Sequence, residues 1–124
     1  MMVTQFAMLY AVFCLGVIGF QVALIAGAPW GQITQGGQVE GALPPLGRWI
    51  AAISVFLLAF MAAAVLSAVG LGADWPVWTG WLAFAVQVLS ALLNWITPSV
   101  PERRLWAPIT TGMAICAGVV VFGG

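Results

Sequence analysis

The chain has 124 residues, of which 64% are hydrophobic and 5% are charged. A soluble domain carries about a quarter of its residues as charges, so this composition excludes a water-soluble globular protein and predicts a single unit that lies in lipid. Three arginines balance three acids. The absence of lysine and histidine excludes a retinal-type Schiff base, histidine-ligated haem, zinc or copper, and a basic surface for nucleic acid.

The first predicted membrane span covers residues 5–27. A helix of that length reaches roughly 34 Å, which is enough to cross a hydrocarbon core of about 30 Å. No positively charged segment precedes it, so we expect it to be retained rather than removed as a signal peptide. Gly19, Ala23 and Gly27 are four residues apart, which predicts a small-residue face for close packing against another subunit or a second copy. Gln21 is the one strongly polar side chain in the interior of this span, which begins at Gln5.

Residues 28–48 are the longest stretch without continuous apolar character, and they contain five of the 15 glycines and three of the seven prolines. We predict an interfacial loop with three roles open. Its glycines allow main-chain N–H groups to converge on an anion, although their spacing matches no phosphate-binding fingerprint. A second role is a fold back into the membrane interface, with Trp30 and Leu43-Pro44-Pro45 as apolar contacts. The third is a plain connector at the headgroup level.

The second and third spans are predicted at residues 49–71 and 77–96. The short segment between them is polar and contains Asp74 and Pro76. Aspartate is a typical helix N-cap, and proline is tolerated in the first helical turn. We therefore expect Asp74 to cap the third helix and Pro76 to lie in its first turn.

Three polar side chains of the third span follow a helical spacing. Gln87, Ser90 and Asn94 stand at positions i, i+3 and i+7, so they share one face of the helix. Amide side chains that face lipid are costly, so we expect this face to point inward or towards a partner helix. Together with Gln21 these residues are candidates for either a polar path through the membrane or a set of interhelical hydrogen bonds.

A second loop is predicted at residues 97–104, on the same side as the 28–48 loop. Pro98 and Pro101 prevent continuation of the third helix. The fourth span is predicted at 105–122, with Pro108 in its first turn. Cys14 and Cys116 lie within apolar segments and form no CxxC motif, so we expect two inert thiols.

The tryptophans support four spans independently of hydropathy. Tryptophan prefers the headgroup level of a membrane, and all seven fall in connections or near the ends of predicted spans: Trp30, Trp49, Trp75, Trp78, Trp81, Trp95 and Trp106. We therefore predict an all-α fold, a four-helix transmembrane bundle in which residues 1–124 form a single domain.

The arginines predict the orientation. Arg48, Arg103 and Arg104 all lie in the two loops predicted on one side, and the other side carries no lysine or arginine. The positive-inside rule then places the loops at 28–48 and 97–104 in the cytoplasm and both termini outside.

The charged residues of the two loops form a candidate interaction site. The spacing of four helices makes pairing of Glu40 with Arg103 or Arg104, and of Glu102 with Arg48, sterically reasonable. Three guanidinium groups near the interface also suit a lipid headgroup, and Trp30 belongs to the same candidate site. No histidine, serine elbow or second carboxylate accompanies Glu102 in the sequence, so we predict no catalytic residues, no metal site, no cofactor and a protein that is not an enzyme.

Two segments resemble a known group of proteins. They are GAPWG, GG and GALPP with Arg48 in the first loop, at residues 27–31, 36–37 and 41–45, and TPSVPERRLWAP at 97–108. This combination looks like a group of small bacterial inner-membrane proteins with four helices and no assigned activity. The resemblance covers about a third of the chain. It implies a multi-pass protein of the bacterial inner membrane and transfers no function.

Three functions are open on these grounds. The first is a non-enzymatic protein that acts by helix packing and loop-mediated interaction, as an accessory or assembly subunit or a homo-oligomer. The second is a small transporter or channel lined by Gln21, Gln87, Ser90 and Asn94. No acid or base lies in the middle of a predicted span, which argues against proton-coupled export. The third is a lipid- or quinone-binding protein that uses the arginine side.

Overall fold

Four long helices make up most of the chain. The structure is a computed structural model that describes residues 2–123. Helix α1 covers Met2–Ile25, α2 Pro45–Ser67, α3 Val77–Ile96 and α4 Val100–Gly123, and two short 3-10 turns lie between α1 and α2. All four helices are long and apolar enough to cross a membrane. Within the described range there is no β-strand, and the predicted all-α four-helix bundle is confirmed.

The helices pack in the order in which they follow one another. α1 lies between α2 and α4, and α3 lies between the same two helices on the opposite corner of the bundle. Successive spans cross the membrane in alternating directions, so neighbouring helices are antiparallel. The α1–α2 and α3–α4 connections therefore lie at one end of the bundle, which we call the loop end. The α2–α3 connection lies at the other, the far end.

Glycines end the first two helices. Gly27 and Gly70 have φ values of +104° and +79°, and each follows the last turn of its helix. The N–H of Gly70 bonds the Ser67 carbonyl and that of Leu71 bonds the Leu66 carbonyl, both at 3.0 Å. This pair of bonds is a Schellman turn, which needs a left-handed residue at its corner. The helices thus end before the predicted limits of residues 27 and 71.

Prolines set the start of the second and third helices. Pro45 is the first residue of α2, where its missing N–H does no harm, so α2 begins four residues before the predicted position. The prediction that Asp74 caps α3 was wrong. Pro76 is the N-cap, in an extended conformation and without a side-chain bond, and Asp74 is exposed. Proline's fixed φ and missing donor hold the chain extended up to the first helical residue.

The fourth helix begins earlier than expected, and the second loop is correspondingly shorter. Ser99 is its N-cap, since the Ser99 oxygen Oγ accepts the Glu102 N–H at 3.3 Å and the Ser99 carbonyl accepts the Arg103 N–H at 3.0 Å. Most of the predicted loop at 97–104 is therefore helical. Pro108 lies inside the helix rather than in its first turn, where the proline ring removes one main-chain hydrogen bond.

The far half of the bundle contains the main apolar core. Its largest fully buried members include Tyr10, Val65, Met113 and Val120. The outer surface is equally apolar: Phe56 and Phe122 are 77% and 73% exposed. Such side chains are stable only when lipid covers them, which agrees with the four membrane-spanning helices.

Candidate functional site

The 28–48 loop is docked onto the first turns of α4. The Gly36 N–H donates to Oε2 of Glu102 at 3.0 Å, and the Ser99 hydroxyl donates to the Gln32 carbonyl at 2.8 Å. The Trp106 indole N–H donates to the Ile33 carbonyl at 2.6 Å. These three contacts join residues more than 60 positions apart in sequence, and they hold the loop as a lid over the loop end of the bundle.

The loop is also closed on itself. Gly31 donates its N–H to the Gly41 carbonyl at 2.8 Å. A Cβ at Gly31 would lie 2.8 Å from that oxygen and closer still to the Val39 carbonyl, so only glycine fits there. The Gln35 amide donates to the Gly47 carbonyl at 2.8 Å. The loop therefore uses many of its polar groups inside the molecule.

Apolar contacts anchor both ends of the loop. The ring of Phe20, near the end of α1, stacks on Trp30 at 5.5 Å and meets the edge of Trp106 at 4.7 Å. Leu43 is buried against Leu24 and Ala51. These contacts hold the two ends of the loop against α1, α2 and α4.

A polar cavity of about 140 Å³ lies beneath the loop. α1 contributes Gln21, and α3 contributes Ser90 and Asn94. The remaining polar lining comes from the loop, with Thr34 and Gln35, and from α4, with Glu102 and Thr110. Three of the four polar residues singled out within the predicted spans thus meet in one cavity, although they belong to two different helices.

A second cavity of about 150 Å³ adjoins the first, towards the middle of the bundle. The two share Gln21, Ser90, Thr110 and Val17 in their linings. The second is more apolar, and its further polar groups are Ser54 and Gln87. All four candidate residues of the polar path therefore border one of two adjoining cavities.

A buried hydrogen-bond network borders the second cavity towards the far end of the bundle. The Tyr10 hydroxyl donates to Oε1 of Gln87 at 2.9 Å, and the Gln87 amide donates to the Thr110 carbonyl at 3.2 Å. Tyr10 is fully buried and Gln87 is 2% exposed. Because these bonds link α1, α3 and α4, Gln87 acts as an interhelical connection at the floor of the cavity.

Glu102 is the only charged side chain in the lining of either cavity. It is buried, at 6% exposed, in the first turn of α4. The partial positive charge of a helix N-terminus and the Gly36 N–H both stabilise a negative carboxylate. In the usual capping box this glutamate would bond the N–H of Ser99. Here that N–H bonds the Thr97 hydroxyl at 3.3 Å, and the carboxylate holds the loop instead.

Arg48 and Arg103 donate to main-chain carbonyls outside the cavities. The Arg48 Nε donates to the Leu43 carbonyl at 2.9 Å, in an outward groove that also contains Trp49. The Arg103 Nη2 donates to the Thr97 carbonyl at 3.0 Å, and Arg104 is exposed. Within residues 2–123, the guanidinium groups therefore do not form the ion pairs that we expected with Glu40 and Glu102.

The candidate headgroup site is not assembled as one cluster. Trp30 lies on the outside of the loop, 42% exposed, and Glu40 is exposed. Glu102 is turned into the cavity, and Arg48 borders the separate groove on the outer surface. Among residues 2–123, no three histidine, cysteine or acidic side chains come together as metal ligands.

The structure does not place Gly19 and Gly27 together on one face of α1. Gly19 is exposed, and a Cβ built on it would meet nothing within 4 Å. Gly27 belongs to the turn after the helix, not to a helical face. Close packing inside the bundle comes instead from positions such as Gly118, where a Cβ would lie 3.1 Å from the ring of Phe84.

The sequence did not predict several of the residues that line the cavity beneath the loop. Thr34, Gln35 and Thr110 reach the cavity only through the folding of the loop and the pitch of α4. One signal was present: Ser99 and Glu102 form the S-x-x-E pattern of a capping box, which predicts a helix start at residue 100. It also places Glu102 on the first turn of a helix rather than in a loop.

Comparison with known proteins adds no relative. No protein-family model, no curated protein and no solved structure matches the chain.

Proposed function

We propose that this membrane protein is a small transporter or channel, with the polar interior between α1, α3 and α4 as its path for a small solute. The observation that carries the proposal is the convergence of Gln21, Ser90 and Asn94 on one cavity, with Gln87 on the adjoining one. Polar side chains within membrane spans are expensive and typically mark a substrate path.

The distribution of packing along the bundle supports this reading. The cavities occupy the loop half and the middle, whereas the far half is filled by apolar side chains around Tyr10. A bundle with cavities in one half and a packed core in the other is suited to alternating exposure of a solute. Transport then requires the packed half to open, with the Tyr10–Gln87 contact as the barrier.

The first function expected from the sequence, an accessory subunit that recognises a partner through the 28–48 loop, has less support. The loop directs Gly36, Gln32 and Ile33 towards α4, so these groups are not free for a partner. Lipid contacts and association with other subunits or a second copy remain compatible with the apolar outer surface.

For the location, we propose the bacterial inner membrane, with the loop end in the cytoplasm and the far end outside. The resemblance of the two loop segments to small inner-membrane proteins supports the assignment to this membrane. The positions of Arg48, Arg103 and Arg104 support the orientation.

Purified protein in liposomes tests the proposal. Uptake of a panel of small ions and neutral solutes is measured against protein-free liposomes, and we expect at least one solute to enter faster. The Asn94→Leu variant should abolish that uptake, because leucine removes the amide and fills part of a cavity of about 140 Å³.

Gln38→Leu is the matched control. It makes the same amide-to-leucine change at an exposed loop position outside the cavities, and uptake should stay at the wild-type rate. Equal uptake in the wild type and the Asn94→Leu variant would contradict the proposal that the solute passes through the cavity at Asn94. Extraction by mild detergent only together with other subunits, without uptake by the purified chain, would favour the accessory subunit.

A further inference from the structure

We infer that the solute is a small monovalent cation, bound in the cavity beneath the loop with Glu102 as its counter-charge. The inference rests on the proposed path through that cavity and specifies its substrate class. It follows from the sign of the charge in the lining, the chemistry of the neutral groups and the size of the space.

The charge in the cavity has one sign. Glu102 lines it, and no arginine does. Arg48 and Arg103 are held by the carbonyls of Leu43 and Thr97, and Arg104 is exposed. The Glu102 side chain is 6% exposed, and the negative charge of its carboxylate attracts a cation and repels an anion.

The neutral lining completes a set of oxygen donors. Gln21 and Asn94 each offer an amide oxygen, and Ser90 and Thr34 each offer a hydroxyl. Hard cations prefer carboxylate, carbonyl and hydroxyl oxygens. Calcium and magnesium usually take more than one carboxylate or retain several waters, whereas a single carboxylate balances a single positive charge.

The size of the cavity limits the ligand. Drug-sized ligands occupy pockets of about 300–1,000 Å³, and the space beneath the loop measures about 140 Å³. An ion with a few waters, or a small ammonium, fits a space of this size.

Uptake of radioactive rubidium and sodium into liposomes tests whether the transported solute is a cation. Urea is the neutral comparison. The Glu102→Gln variant keeps an oxygen that accepts the Gly36 N–H, so the loop contact and the fold should survive. We expect cation uptake to fall by about tenfold or more, because a charged contact becomes a neutral one.

Glu40→Gln is the matched control. It removes the same charge from an exposed position in the same loop, and it should leave cation uptake unchanged. If both variants slow uptake equally, surface charge explains the effect and the site at Glu102 is overturned.

Binding without transport is measured separately, by the thermal stability of detergent-solubilised protein in rubidium chloride against choline chloride at equal ionic strength. A cation that binds only the folded state raises the melting temperature, and we expect this shift in the wild type but not in the Glu102→Gln variant. A shift without uptake would support the cation site and contradict the transport function. If urea is taken up and no assay depends on Glu102, the transport function is supported and the inference that the solute is a cation is overturned.

Discussion

Tyr10 and Gln87 show how a few polar atoms organise an apolar bundle. Both side chains are buried, and the hydrogen bond of 2.9 Å between them joins diagonally opposed helices. An amide without a partner in hydrocarbon is costly, so each of the two residues restricts the position of the other. Glu102 acts in a similar way at the loop end, where one carboxylate joins α4 to the loop.

Replacing Tyr10 with phenylalanine should destabilise the bundle by about 0.6 kcal/mol, the average for hydrogen bonds between membrane helices, and by no more than about 1.7 kcal/mol, the largest value. The change removes one hydroxyl and leaves Oε1 of Gln87 without its donor. The measurement is unfolding in mixed micelles of increasing SDS content. In a Tyr10→Phe, Gln87→Met double variant, the loss should be smaller than the sum of the single losses.

Ser54→Ala is the matched control for this prediction. It also removes one hydroxyl, but that hydroxyl donates to the Ile50 carbonyl within its own helix at 2.9 Å. Its stability should therefore change less than that of Tyr10→Phe. Equal losses for the two variants would show that the Tyr10–Gln87 contact adds nothing between helices.

At the level of elements, the start of α4 and the 28–48 loop form one unit. Ser99 accepts the Glu102 N–H as a helix cap and donates to the Gln32 carbonyl of the loop. Glu102, three residues later, holds Gly36. The helix start and the loop therefore depend on the same two side chains, and loss of the cap should loosen the lid over the cavity.

Ser99→Ala tests this dependence. Loss of an N-cap hydroxyl costs about 0.5–2 kcal/mol, so the first turn of α4 should fray and the loop should detach more often. Amide hydrogen exchange in micelles should become faster at Glu102 and Gly36, with no change in α3. Asp74→Ala is the control, because Asp74 is exposed and is not the N-cap of α3. Unchanged exchange at Gly36 would show that the loop is held without Ser99.

On the scale of the whole molecule, the bundle has two unequal ends. The loop end carries all three arginines, two of the three acids and the cavities, whereas the far end has one short connection and the packed core. Tryptophans flank both: Trp49 and Trp95 lie at the loop end, and Trp75 and Trp78 at the far end. Two aromatic girdles of this kind mark the two membrane interfaces.

Single cysteines in the two connections test this arrangement. Glu40→Cys and Asp74→Cys place thiols at exposed positions at opposite ends, and Cys14 and Cys116 are buried. In intact cells a membrane-impermeant maleimide should label Asp74→Cys only, and after permeabilisation it should label both. The unmodified chain should stay unlabelled. Labelling of both variants in intact cells would contradict four spans, and labelling of Glu40→Cys alone would reverse the orientation.

The sequence alone was sufficient for the number of helices, their approximate limits and their order. In lipid a long apolar segment must satisfy its own main-chain hydrogen bonds, so it has to be a helix. The spacing of Gln87, Ser90 and Asn94 likewise limited them to one face of α3. The errors in the helix limits lay at ends such as Val100 and Pro76, where a single side-chain or proline contact decides the boundary.

Only the tertiary structure decided what the polar residues do together. No pattern in the chain reveals that Gln21 of α1 and Asn94 of α3 border the same space. Nor does any pattern show that Glu102 turns inwards to hold Gly36 while Arg48 and Arg103 donate to main-chain carbonyls. These contacts join residues far apart in sequence, and they depend on how helices rotate and how a loop closes. Local periodicity carries no information about either.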